Sequence, residues 1–475
     1  VPDVINLPVV VIGAGPVGLA AAAHLLERGG NPLVLEAGLS AGANVLQWGH
    51  VRIFSPWRYN MDSASKRLLA ETSWREPDAG YLPTGSELVR DYLEPLATQT
   101  RLRDHVQCDA RVTAITRKGV DKVRTKGRYE SPFLIRVSSR KGGVREIEAK
   151  AVIDASGTWN QPNPMGGHGL PAMGEELVSH RIDYGIPNVK GGLRKQFAGR
   201  TVTVVGSGHS SFNIVLDLLS LREEASETRI IWLMRKKSLG NVFGGGDADS
   251  LSARGELGTR AKKAVTSGEV TLLTPMVIQE LAPTNSDQVE VKGALAGEPK
   301  SFLTDRIIVT TGFRPDLEML RELRIEIDPW LESAREIGTL IDPNLHSCGT
   351  VRPHGARELA HPEKGFYIVG MKSYGRAPTF LMATGYEQVR SVVAEITSDH
   401  EAAARVELDL PETGVCGLDN AEYKGSSCCG GPAESDAEAC CREDEDAKAA
   451  GESGCGCGSN KPVGVAPSKA SSCCG

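Results

Sequence analysis

Two hydrophobic rhythms alternate along the first 400 positions. Short apolar, β-branched runs end at glycine, and stretches with apolar residues at helical spacing follow them. Residues 7–12 predict a strand, 13–18 a glycine turn and 19–28 a helix that Gly29 and Gly30 end. Residues 32–36 predict the next strand. The same series returns with a strand at 201–205, a turn at 206–211, a helix at 212–221 and a strand at 229–234. Strand–turn–helix–strand used twice predicts an α/β protein with parallel sheets. Between the copies, 111–115, 133–138 and 144–149 alternate like antiparallel strands. A run at 151–155 leads into Ser156 and Gly157, and a similar run at 306–312 ends at Gly312. Residues 365–370 predict one more strand and turn, and 380–396 a closing helix.

Beyond about residue 410 the rhythm stops. Glycine, serine, alanine, acidic residues and cysteine dominate, and Tyr423 is the only aromatic. Such a segment cannot bury a core and is expected to be disordered without a ligand. It also rewrites the composition of the whole. The chain has 475 residues, a formal net charge of -6 and 11 cysteines. From residue 411 onward there are 11 acidic and 5 basic residues, so the first 410 carry 49 of each sign. A neutral body gives no sign of a nucleic-acid or polybasic membrane partner. Only Cys108 and Cys348 precede position 415. The longest largely apolar run, 4–23, is broken by Gly13, Gly15, Pro16 and Gly18, which predicts a strand and turn rather than a membrane span. A cytoplasmic protein is expected.

The two glycine turns carry the chemistry. In the first, Gly13 allows the sharp bend, Gly15 lets backbone approach a pyrophosphate and Gly18 lets helix pack on strand. The helix amino terminus offers free N–H groups and a positive dipole end. Glu36 closes the second strand, 23 residues after Gly13, and can accept from both hydroxyls of an adenosine ribose. An unphosphorylated ribose is expected there, as in FAD or NAD. In the second turn the corresponding residues are Gly206, Gly208 and Ser211, and the strand runs into Arg235, Lys236 and Lys237. A basic cluster attracts a 2′-phosphate, which points to NADPH. A solvated basic patch is the plainer alternative. Two dinucleotide sites in one chain suggest a hydride path between them.

These motifs resemble those of flavoproteins with two dinucleotide-binding domains, and especially the flavin-containing (class B) monooxygenases. Residues 154–164 and 310–316 look like the family's two linker motifs, and 80–92 is similar to its segment before a helical region. The resemblance implies two Rossmann-like FAD/NAD(P)-binding domains, each a three-layer sandwich. The FAD domain would be discontinuous, 1–165 and 305–400, with an NADPH domain at 166–304. Gly157, Gly312 and Gly370 would join the cofactor contacts. Trp48, Trp57 and Asn60 would face the flavin, although buried tryptophans are more often plain core. The family fingerprint is incomplete. His180 and Tyr184 stand at its spacing, but its phenylalanine is missing and Gly174 lies six residues before His180. Disulfide reductases share this fold and keep a cysteine pair beside the flavin, whereas 38–60 and 109–347 contain no cysteine.

The tail holds Cys428-Cys429, Cys440-Cys441, Cys455-Gly-Cys457 and Cys473-Cys474. None is a C-x-x-C zinc knuckle, and no histidine follows His400. Adjacent thiols on mobile chain suit a soft ion such as Cu(I) or trivalent arsenic. Such tails resemble those of bacterial arsenic-resistance proteins. With the body, the chain resembles the flavin monooxygenases of arsenic-resistance gene clusters. The first expectation is an NADPH- and FAD-dependent monooxygenase acting on a small molecule, an arsenical among the candidates. A reductase feeding disulfides or metal(loid)s is the second, and a metalloid-binding protein with a vestigial flavoprotein body the third. A homodimer remains open.

Overall fold

The computed structural model describes residues 6–237, 242–243, 251–343, 351, 353–377 and 380–408. Among them are sixteen strands, taken here in chain order. They are β1 Val9–Ile12, β2 Pro32–Leu35, β3 Val106–Gln107, β4 Arg111–Arg117, β5 Phe133–Ser138, β6 Val144–Ala149, β7 Ala151–Asp154 and β8 Ile182–Tyr184. Then come β9 Thr201–Val205, β10 Arg229–Leu233, β11 Thr271–Leu273, β12 Met276–Pro283, β13 Val289–Leu295, β14 Glu298–Thr304, β15 Arg306–Val309 and β16 Phe366–Ile368. They form two parallel five-stranded sheets, ordered β16-β7-β1-β2-β3 and β8-β15-β9-β10-β11, and two antiparallel three-stranded sheets, β4-β5-β6 and β12-β13-β14.

Each parallel sheet is the middle of three layers. Val9 and Val11 of β1 face a helical core, while Val10 and Ile12 face a core shared with the β4-β5-β6 sheet. Alternate side chains of a strand leave opposite faces, so a run of four apolar residues serves two cores at once. In the second unit Val202 and Val204 join the helices, while Val205, Ile307 and Val309 join β12, β13 and β14. Helix Pro16–Glu27 packs closely because Ala20 to Ala23 present almost no bulk, and all four are fully buried. Helix Met382–Ile396 lies against it.

The two units share one plan: three parallel strands, an antiparallel insertion, then a fourth strand beside the first. That plan moves a boundary. Strand β15 runs parallel to β9, with Arg306 opposite Val202 and Val309 opposite Val205. It therefore belongs to the second sheet, and the chain rejoins the first unit after it rather than at 305. The β12-β13-β14 sheet had no counterpart in the sequence reading. No helix among the described residues is long and apolar enough to cross a membrane. The expected disorder of 410–475 concerns residues outside those described.

Just before β16, His361 is 8% exposed, and its Nδ1 accepts the Glu326 amide at 3.3 Å. Burial holds its pKa down to about 4 from an ordinary 6.5. Between those values the unfolded chain binds the proton and the folded chain does not, so stability falls as pH falls. His361→Gln is expected to remove about 2 kcal/mol of the stability lost between pH 7 and pH 5. Urea unfolding of both proteins at the two pH values checks this.

Candidate functional site: two matched glycine turns

Strand β1 ends in a bend that only glycine makes without strain, since Gly13 has φ of +97°. A Cβ there would lie 2.9 Å from the Ala155 carbonyl oxygen, on the end of the neighbouring β7. A Cβ on Gly18 would lie 1.9 Å from the Gly13 carbonyl oxygen. Both glycines are therefore required by the protein's own packing. Gly15 differs. It has φ of −80°, and a Cβ there would meet nothing within 4 Å. It caps helix Pro16–Glu27 without a side-chain hydrogen bond, so the cap itself leaves amides of the first turn for another partner. Glu36 binds the turn from the end of β2. Its Oε2 accepts the Ala14 amide at 2.7 Å and its Oε1 accepts the Gly38 amide at 2.6 Å. Each oxygen keeps a lone pair for a further donor.

The second turn repeats this geometry. Gly206 has φ of +137°, and a Cβ there would lie 2.4 Å from Thr310 Oγ1. Gly208 has φ of −95°, caps helix His209–Glu224 without a side-chain bond, and a Cβ on it meets nothing within 4 Å. Ser211 takes the third place, fully buried, with Oγ donating to the Gly208 carbonyl at 2.5 Å. Past β10, Arg235 is exposed and Lys236 half-buried. The two sites thus differ chiefly in charge: a carboxylate ends one second strand and basic residues end the other.

Gly157, Gly312 and Gly370 have φ of +71°, +84° and +68° and turn the chain at the ends of β7, β15 and β16. The sequence reading missed what locks these ends together. Lys372 and Asp154, both fully buried, pair at 2.6 Å. Ser156 Oγ donates to Asp154 Oδ1 at 2.6 Å and accepts from Lys372 Nζ at 3.1 Å. No local pattern links residues 218 positions apart.

The expected flavin-face residues separate. Trp57 is 1% exposed and packs edge-on to Tyr92, with ring centroids 6.5 Å apart. Asn60 has no exposed surface; it accepts from Ser55 Oγ and donates to the Ser55 carbonyl, each at 2.7 Å. Both side chains are packed inside the protein, and their place at the flavin face stays a proposal. Trp48 is half-buried and lies over Gly85. His180 is exposed. Tyr184 donates its hydroxyl to Glu175; burial, then that bond, raises its pKa.

Cys108 is exposed and is the only cysteine among the described residues. Burial and the Glu36 charge raise its thiol pKa, which works against a reactive thiolate. No cluster of three or more His, Cys, Asp or Glu placed for a metal ion occurs among the described residues. The tail thiols Cys428, Cys429, Cys440, Cys441, Cys455, Cys457, Cys473 and Cys474 lie outside them.

No curated protein matches the chain in sequence. Among solved structures, the bacillithiol disulfide reductase of Bacillus cereus is similar at a TM-score of 0.61 and 19% identity, over 83% of this chain and 99% of that one. The desferrioxamine-pathway cadaverine monooxygenase of Erwinia amylovora, solved bound to FAD, gives 0.58 and 14%, over 85% and 97%. A mutant flavin monooxygenase of Stenotrophomonas maltophilia gives 0.52 and 21%, over 83% and 98%. At such identities the likeness is one of fold. The sequence profile of the pyridine nucleotide-disulphide oxidoreductases matches residues 10–336, a span holding both glycine turns, and the chain belongs to that family.

Proposed function

We propose that the protein is an NADPH- and FAD-dependent monooxygenase, with FAD at the first turn and NADPH at the second. The carrying observation is the matched pair of turns whose second strands end in opposite charge. Both fit a dinucleotide, because Gly15 and Gly208 leave unfilled ground before helix amides that no side chain caps. Glu36 would hold the ribose of FAD, while Arg235 and Lys236 would hold the 2′-phosphate of NADPH. Bound FAD supplies hydride acceptance and two-electron delivery to dioxygen. The chain's own residues orient both nucleotides and keep the first turn rigid through Gly13, Gly18 and the Asp154–Lys372 pair.

Oxygenation is preferred to disulfide reduction because the described body holds no cysteine pair. In balance, NADPH, a proton, dioxygen and substrate give NADP⁺, water and the oxygenated substrate. The paired tail thiols suggest a trivalent arsenical or its thiol adduct as substrate, with the tail binding the thiophilic ion. The same paired thiols support a second reading, a reductase that delivers electrons to tail disulfides or a bound metal ion.

NADPH consumption by the full-length protein, with and without oxygen and arsenite, separates the two. The monooxygenase reading expects oxygen-dependent consumption that arsenite stimulates, with oxygenated product matching NADPH. Hydrogen peroxide accounting for all the NADPH would defeat it, and brisk anaerobic turnover with disulfides would establish the reductase. Reversing charge with Arg235→Glu and Lys236→Glu is expected to raise the KM for NADPH about tenfold or more, leaving that for NADH nearly unchanged.

A further inference from the structure

Residues 47–54 follow the second strand of the first unit, yet two of their side chains, Gln47 and Phe54, meet a linker and the second unit. Gln47 Oε1 accepts from Trp159 Nε1 at 2.8 Å. Trp159 stacks on Phe313 with centroids 4.7 Å apart, and these two rings lie on the two chain passages between the units. The passages are bonded to each other, Asn163 N to Gly312 O and Arg314 N to Gln161 O, each at 2.9 Å. His50 Nε2 is buried without a hydrogen-bond partner. Burial lowers the His50 pKa, while Asp217 raises it and Lys190 lowers it; these two second-unit residues pair with each other at 2.5 Å. Phe54 tilts onto the ring of His209, with centroids 5.6 Å apart. His209 is the first residue of helix His209–Glu224, directly after Gly208, and packs edge-on to Phe212 at 5.5 Å.

The other side of the segment is fixed to the first unit. The Gly85 amide donates to the Val51 carbonyl at 3.0 Å, and the Ile53 amide donates to the Pro83 carbonyl at 2.8 Å. Ser86 N donates to the Gly49 carbonyl at 2.8 Å. The segment is thus bonded to the first unit, with one ring on the residue that opens helix His209–Glu224.

We propose that residues 47–54 form a strap that orients the second nucleotide turn toward the first unit, with Phe54 as a positioning residue for hydride transfer. This rests on the nucleotide assignment made under the proposed function. The step it would serve moves a hydride from NADPH, leaving NADP⁺, to FAD, which would also take a solvent proton. Transfer needs the reacting atoms about 3–3.5 Å apart, and a misplacement of about 1 Å costs about a hundredfold in rate. Domains joined by linkers move relative to each other unless a contact holds them. Phe54 on His209 is such a contact, placed where the second nucleotide binds.

The test uses full-length holoprotein as wild type, Phe54→Ala and Phe54→Tyr. Anaerobic reduction by NADPH, followed by flavin absorbance, is expected to slow about tenfold or more in F54A and to return to within about threefold of wild type in F54Y. Reduction by dithionite, which needs no second site, is expected to be equal in all three. NADP⁺ is expected to slow amide hydrogen exchange across 47–54 in wild type and not in F54A. Reduction of F54A by NADPH at the wild-type rate would overturn the proposal. So would an equal slowing with dithionite or a loss of bound FAD, since either marks a merely structural role. A wild type that dithionite reduces and NADPH does not would overturn the nucleotide assignment itself, and the strap with it.

Discussion

Glu363→Gln is expected to cost about 3–5 kcal/mol of folding stability, read as a fall in the urea unfolding free energy. Glu363 is fully buried between Arg117 and Arg128, which are 4% and 0% exposed. Arg117 Nε donates to its Oε1 at 2.8 Å and Arg128 Nε to its Oε2 at 3.0 Å. The Arg324 amide adds a bond at 3.0 Å. Burial alone would raise the carboxyl pKa; the bonds from Arg128, the Arg324 amide and Arg117 outweigh it and hold the group below its ordinary range. Its contribution is therefore present above the unfolded pKa of 4.5 and lost as pH falls through the lower folded value. Glutamine keeps the shape but leaves two guanidinium groups buried with no countercharge. The cost is large because these groups join distant chain: the 121–131 loop, β4 and the approach to β16. Glu146→Gln is the control. Its partner Arg136 is 57% exposed, and loss of that surface pair is expected to cost less than about 1 kcal/mol.

What could be read in the sequence was local. Gly13, Gly15, Gly18 and Glu36 fall within 24 positions and form one turn and its neighbouring strand end, so spacing alone ties them together. Strands Thr201–Val205, Phe133–Ser138 and Val144–Ala149 have the extents that the apolar pattern marks. What could not be read was which sheet a strand joins. Arg306–Val309 and Ala151–Asp154 are both short apolar runs leading to a glycine turn, yet they lie beside β9 and β1 respectively. Partner choice comes from packing across the chain, which a run of four residues does not encode. The third strand of the β12-β13-β14 sheet was hidden for another reason. Strand Glu298–Thr304 is exposed along nearly its whole length, so it carries no apolar alternation. Trp57 and Asn60 show the limit at the site. An aromatic ring that packs on Tyr92 and one that shields a cofactor look alike in sequence. The Asp154–Lys372 pair lies beyond local reading altogether.

Gly15→Ala and Gly208→Ala are expected to separate nucleotide binding from folding at each turn. In neither place would the new methyl group meet protein within 4 Å, and neither backbone has positive φ. Alanine should therefore leave the thermal midpoint of nucleotide-free protein within about a degree, or raise it slightly by narrowing the unfolded ensemble. Its whole cost falls on whatever approaches that backbone. For Gly15→Ala the expected result is loss of bound FAD on purification, with affinity lowered at least about tenfold, or ~1.4 kcal/mol. For Gly208→Ala, FAD content stays normal and the affinity for NADPH falls by a similar factor. Gly18→Ala gives the opposite pattern, since its Cβ would stand 1.9 Å from the Gly13 carbonyl oxygen, and a backbone oxygen cannot swing aside as a side chain can. That variant should lose stability with or without nucleotide. The contrast is what makes the turns diagnostic: a glycine kept for the protein's own packing fails in the absence of ligand, and a glycine kept for a ligand fails only in its presence. Titration with each nucleotide beside calorimetry of the free protein reads both. If Gly15→Ala and Gly208→Ala bound both nucleotides as wild type does, neither turn would be a pyrophosphate site.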